Sequence, residues 1–154
     1  MFVLIDDTII IGIKRKQLMK IQLFKDTQLP KKAHLPDCGL DCFMPESFEL
    51  MPFETKTVGL GFGIQVPEGF AGMLVPRSSI AEKGLIIQTS IIDPDYTGEI
   101  HLIITNCSNN VVKICKNQRV CSLVIYNVLN VRLDIVYDFD KTERGNQGLG
   151  SSGK

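Results

Sequence analysis

The chain is poor in the residues that build metal or disulfide frameworks: two histidines and five cysteines (Cys38, Cys42, Cys107, Cys115, Cys121) in 154 residues, with no CxxC pair. Neither a zinc site nor a disulfide scaffold follows from an odd number of thiols so spaced, and a reducing, intracellular compartment fits them best. Net charge is lacking too, since 17 Lys and Arg balance 17 Asp and Glu. That balance gives no general attraction for DNA, RNA or an anionic membrane, so neither stable nucleic-acid binding nor membrane association is expected. Long apolar runs are missing, and the uninterrupted stretch at residues 9–13 is far too short to span a bilayer. Lys14-Arg15-Lys16 follows that stretch, the reverse of the order in a secretory signal. No segment carries an apolar stripe over three helical turns, and there is no internal repeat or heptad pattern.

The chain does have enough apolar content, 44%, for one packed core in a single domain. Strand-like pieces recur at residues 20–24, 40–43, 48–51, 56–66, 70–75, 85–92, 99–105, 111–114, 119–128 and 133–136, separated by Pro, Gly and Asn turn signals. Many short strands in one domain predict an all-β sandwich, jelly roll or distorted barrel. One short helix is expected at 79–83, capped by Ser78 or Ser79 and ended by Gly84. Residues 1–18 are read as an N-terminal extension, 19–137 as the domain, and 138–154, with its RGNQGLGSSG ending, as a flexible arm.

The stretch SIIDPDYTGEI at 90–100 is the candidate centre of chemistry. Asp93 and Pro94 stand at the first two positions of a type I turn, and Pro94 biases Asp93 toward extended angles, fixing its carboxylate beside a strand end at a hairpin tip. Such a carboxylate can serve as a general base, although an Asp before Pro is on its own more often a turn former. Two further stretches could hold an anion: Arg77-Ser78-Ser79 at the start of the short helix, and Arg144 with the glycines and serines of the arm. Alone, each also reads as an ordinary cap or a frayed terminus. Together with Asp93 they point to a polyphosphate substrate and its hydrolysis.

With these pieces laid out, the chain resembles the trimeric-type dUTPases, which hydrolyse dUTP to dUMP and pyrophosphate, limiting uracil in DNA and supplying dUMP for thymidylate synthesis. Five motifs occur in order: CGLDC at 38–42 resembles AGxDL, PRSSIAEKGL at 76–85 the PRSG segment, SIIDPDYTGEI the GxIDxDYxGE segment, QRVCSLV at 118–124 the RIAQL strand, and RGNQGLGSSG the RGxGGFGSTG arm. The resemblance implies a distorted jelly-roll β-barrel with one short helix, in a homotrimer with a swapped C-terminal arm. It assigns Asp93 as the carboxylate that orients and deprotonates the attacking water, with Arg144 as its catalytic companion. Tyr96 would lie against the deoxyribose and leave no room for a 2′-hydroxyl. The backbone around Gln88, Ile91 and Ile92 would pair with uracil, and Arg77, Ser78 and Ser79 would hold phosphate oxygens. Asp41 would sit in the environment of a magnesium ion (Mg2+), through water. Leu149, Gly150, Ser151 and Ser152 would close over the nucleotide from a neighbouring subunit's arm.

The sequence departs from the family pattern at several positions. Leu149 stands in place of a Phe that stacks on uracil, Ser122 in place of Gln, and Gln147 and Ser90 in place of Gly. Cys38 and Cys42 replace aliphatic residues and are read as small buried hydrophobes. Arg119 is read as an ion-pair partner, His101 as a packed side chain, and Asp95 as a turn carboxylate. Two other readings stand beside the hydrolase: a non-catalytic nucleotide-binding regulator on the same fold, and a dCTP deaminase, which the Asp93–Tyr96 pattern disfavours.

Overall fold

The computed structural model describes residues 4–5, 8–9 and 19–146. In chain order the strands are β1 (Leu4–Ile5), β2 (Thr8–Ile9), β3 (Lys20–Leu23), β4 (Gly39–Phe43), β5 (Phe48–Leu50), β6 (Thr55–Gly59), β7 (Phe62–Gln65) and β8 (Phe70–Pro76). After the helix α1 (Ser78–Ala81) follow β9 (Leu85–Ile87), β10 (Ser90–Ile92), β11 (His101–Asn106), β12 (Val112–Ile114) and β13 (Arg119–Asn127). Two antiparallel sheets carry the core, one in the order β10-β8-β13-β4 and the other β6-β11-β9. Two-stranded ladders, β12 with β5, β3 with β7 and β1 with β2, complete the pairing.

Period-two alternation puts one face of each main sheet inward. Along β11, Leu102, Ile104 and Asn106 are buried while His101 faces out. Leu74, Leu123, Cys42, Cys121 and Ile92 from the first sheet join Leu85, Ile87, Leu102 and Ile104 from the second in one cluster with Met44, Leu50, Leu60 and Phe62. The architecture is the expected all-β jelly roll with one short helix. Among the described residues its ladders fall into separate sheets, so the barrel is not closed.

Several expectations are corrected by this pairing. The stretch 85–92, read as one strand, divides because β9 pairs with β11 while β10 pairs with β8. Its middle residue Gln88 donates its N–H to Ile103 O at 2.9 Å. The stretch 56–66 divides at Gly61, whose φ of 79° turns the chain out of the ladder. Residues 133–136 form no strand and are exposed. The turn at 93–96 is present, with Tyr96 N–H donating to Asp93 O at 3.2 Å. It is not a hairpin tip, however, because the strands on either side of it belong to different sheets. Neither serine caps α1, whose N-cap is Arg77 with no side-chain capping bond, and Gly84 follows it at φ 72°. Cys42 is buried as expected, but Cys38 is exposed.

Candidate active site

The expected site residues fall into two groups at opposite ends of β8. At one end, Ile92 is in register with Gly72, so Asp93 leaves the sheet beside the start of β8. There Ile92, Asp93, Tyr96, Ile100, His101 and Ile103 line a cavity of about 250 Å³ together with Ser90 and Ile91. Asp93 is exposed and Tyr96 is 42% exposed, so an acid and an aromatic ring border a hollow lined by four isoleucines with Ser90 and His101. Among the described residues β10 is the edge strand of its sheet and pairs with β8 on one side, which leaves the other side of its backbone unpaired there. The Gln88 N–H, by contrast, is already spent on Ile103. His101 was expected to be packed, but it is exposed, and its Nδ1 lies 2.8 Å from Glu99 O.

At the other end, Arg77 follows β8 in extended backbone. Its guanidinium pairs with Asp41 Oδ1, which also accepts from Ser122 Oγ at 3.1 Å, while Arg119 donates to Asp41 Oδ2 at 3.1 Å. Register explains the meeting: Ser122 on β13 lies opposite Asp41 on β4 and opposite Val75 on β8. Burial of Asp41 pushes its carboxyl up, but the Arg77 hydrogen bond and charge, with the Ser122 and Arg119 bonds, outweigh this and hold it below the usual carboxylate range. One carboxylate between two guanidiniums leaves excess positive charge, and Ser78 and Ser79 are exposed beside it. This is a cradle for an anion. Arg119, read from sequence as an ion-pair partner, does pair with Asp41.

The same contacts bear on magnesium. Both oxygens of Asp41 are engaged by cations or a hydroxyl, and the described residues hold no group of three or more His, Cys, Asp or Glu that could hold a metal ion. With its oxygens so engaged, Asp41 would reach a magnesium ion through water, and substrate phosphates would supply the direct oxygen ligands. In the arm, Arg144 is exposed, and the Gly145 N–H donates to Thr142 Oγ1 at 3.0 Å. Leu149, Gly150, Ser151 and Ser152 lie outside the described residues.

An acid and an aromatic ring thus stand by a pocket at one end of β8, and two arginines with two serines at the other. Comparison with known proteins gives the family of the chain. The dUTPase family model matches residues 25–153, and the chain belongs to the dUTPase family. It is 37% identical over 138 residues to the deoxyuridine 5'-triphosphate nucleotidohydrolase of Corynebacterium glutamicum, covering 87% of this chain and 93% of that protein. The corresponding protein of a Hydrogenobaculum species is 36% identical over 141 residues, covering 89% and 98%. Among solved structures, a Staphylococcus bacteriophage 80alpha dUTPase with dUpNHpp is 27% identical with a TM-score of 0.84, covering 89% of this chain and 99% of that one. A dUTPase from phage phi11 of S. aureus, described with a structural Mg(II) ion, is 23% identical with a TM-score of 0.75 and shares the fold. No helix among the described residues is long and apolar enough to cross a membrane.

Proposed function

We propose that this chain hydrolyses dUTP to dUMP and pyrophosphate by in-line attack of water on the α-phosphorus, with Asp93 holding the water and taking its proton. The observation that carries the reading is the exposed Asp93 carboxylate at the mouth of the cavity lined by Tyr96, Ile92 and Ile103. The open edge of β10 supports base recognition there, with backbone N–H and C=O groups facing the uracil edge. Tyr96 covers the sugar. Arg77, Ser78 and Ser79 hold phosphate oxygens, because a triphosphate repels an incoming water until cations and aligned donors offset its charge. A positioned base adds about a hundred- to ten-thousandfold to that electrostatic effect.

The two halves of the site belong to different subunits of a homotrimer in this reading. Arg77 lies about five residues beyond Gly72 on the strand that pairs with β10, so roughly 16–20 Å of strand separates it from Asp93 within one chain. An uncharged outward face of the second sheet, with Thr55, Thr57, Ile86, Ile103 and Thr105, supplies a surface for a second copy, since Ile86 is 59% exposed. Residues 19–137 form the body in this proposal, and 138–154, with Arg144, Leu149, Gly150, Ser151 and Ser152, the arm that closes over a neighbour's nucleotide. The free cysteines fit an intracellular setting.

The test is direct. Purified protein is incubated with dUTP, dCTP, dTTP and UTP, and pyrophosphate and uridine products are measured. Pyrophosphate and dUMP from dUTP are expected at a rate far above any release from the other three; uridine nucleotide formed from dCTP, or no product at all, would refute the reading. Asp93→Asn should abolish turnover while leaving dUTP affinity within about threefold, because the base acts on the water rather than on the ground-state complex.

A further inference from the structure

The loop that presents Tyr96 is keyed into a glycine ribbon, GLGFG at 59–63, and the key is Glu99. The Tyr96 hydroxyl donates to Glu99 O at 2.6 Å, which folds the ring back over Gly98. A Cβ at Gly98 would lie 2.7 Å from Tyr96 Oη, so the ring can take this position only over glycine. The same carbonyl is met by His101 Nδ1 at 2.8 Å; a carbonyl only accepts, so Nδ1 carries the proton. The Glu99 carboxylate turns the other way and accepts the Gly61 N–H at 2.9 Å. It occupies the space a side chain at Gly59 would need, and the Gly98 carbonyl seats against Gly63, where a Cβ would come within 2.5 Å. The Leu60 N–H donates to Ile100 O at 2.8 Å, and the Ile100 N–H to Phe62 O at 2.9 Å. The Tyr96 hydroxyl is thereby tied to the jelly roll through the main chain and side chain of Glu99, beside the backbone bonds of Ile100.

From this geometry we infer that Glu99 is a positioning residue for sugar discrimination: its carboxylate, anchored on Gly61, fixes the carbonyl that holds the Tyr96 hydroxyl and so sets how closely the ring approaches the ribose C2′. The inference rests on the reading above that Tyr96 covers the sugar. A ring held at one end by a short hydrogen bond and seated on glycine cannot retreat to admit a 2′-hydroxyl. A ring released from that bond can, because discrimination by exclusion is lost with displacements of about 1 Å.

The experiment compares wild type with Glu99→Ala, Glu99→Gln and Tyr96→Phe. For each, the preference for the deoxy over the ribo substrate is measured as the ratio of kcat/KM for dUTP and UTP, and as the ratio of Kd for their non-hydrolysable imido analogues, beside a thermal melt. Glu99→Ala should lower the preference about tenfold or more, chiefly by lowering the KM for UTP. Tyr96→Phe, which keeps the ring and removes its tether, should lower it about threefold to tenfold. Glu99→Gln retains an acceptor for the Gly61 N–H and should restore the preference to within about threefold of wild type. An unchanged ratio in both Glu99→Ala and Tyr96→Phe, with only the melting temperature of Glu99→Ala reduced, overturns the inference and leaves Glu99 a structural brace. If Glu99→Ala does not fold, Tyr96→Phe decides. If the wild type releases no pyrophosphate, the hydrolase reading fails, while the Kd ratios still decide whether the brace governs sugar choice.

Discussion

A carboxylate wedged between two guanidiniums stabilises a fold only while it is ionised, and Asp41 is in that position. Its folded pKa lies below the ordinary value, so its contribution is complete above the unfolded carboxylate pKa of about 4 and is lost as pH falls through the lower folded value. Stability should therefore decline as pH falls below the ordinary carboxylate range, with Asp41 as one of its titrating groups. Asp41→Asn, which cannot ionise, should flatten that acid limb in urea titrations at stepped pH. At pH 7 it should cost about 1–3 kcal/mol, because Arg77 and Arg119 lose the negative charge and one of the two acceptor oxygens while keeping partial access to water. Phe53 poses a different residue-scale problem. It sits at φ 61° in the turn Met51-Pro52-Phe53-Glu54, closed by Glu54 N–H to Met51 O at 3.1 Å. That turn position favours glycine, and a left-handed conformation costs an L-residue roughly 1–2 kcal/mol. Phe53 is 68% exposed and regains little of this by packing. Phe53→Gly should raise the melting temperature by about 1–3 °C, the strain relief being partly offset by the greater freedom of glycine in the unfolded chain.

At the scale of elements, local chemistry was legible and long-range pairing was not. The Asp93-Pro94 turn, the left-handed Gly84 before β9 and the boundaries of β8 and β13 could all be placed from neighbouring residues, because Pro, Asp and Gly act within four positions, although α1 itself ends earlier, at Ala81. Arg77 and Asp41 were each singled out as candidate site residues, but their pairing across 36 positions was hidden, as was the convergence of Arg119 and Ser122 on the same carboxylate from 78 and 81 positions away. An apolar run carries no mark of which sheet it will join. Residues 85–92 divide between two sheets although both halves are rich in Ile and Leu, and residues 133–136, also apolar, have no strand partner among the described residues. Glu99 escaped attention for the same reason, since its partner Gly61 lies 38 positions earlier. The one signal that could have found it is the alternation of glycine at 59, 61 and 63, which marks a backbone approached closely from one side. Gly63→Ala tests that reading. Its new methyl would meet the Gly98 carbonyl at 2.5 Å and the Phe24 ring at 2.9 Å, so equilibrium unfolding should show a loss of about 1–3 kcal/mol. An unchanged midpoint would mean the loop is not seated on the ribbon.

At the scale of the whole molecule, a run of large apolar side chains stands exposed after the last strand. Leu129, Val131, Leu133, Ile135, Tyr137 and Phe139 all stand in water after β13, Ile135 at 98% exposure. The second sheet adds Ile86 and its threonine neighbours, and the formal net charge of zero gives no repulsion to keep copies apart. The proposed trimer also fits the placement of the two groups, since Asp93 and Arg77 leave opposite ends of β8. If each site takes its acid from one subunit and its arginine from another, two inactive proteins should repair each other. Asp93→Asn and Arg77→Ala, each without turnover alone, are mixed under conditions that allow subunit exchange, and pyrophosphate release from dUTP is followed. With random assembly roughly a quarter of the sites combine an intact acid with an intact arginine, so activity should rise toward that fraction of wild type. If both groups act within one subunit, every site retains one lesion and mixing restores nothing; sedimentation of the mixture then separates failed exchange from a site confined to one chain.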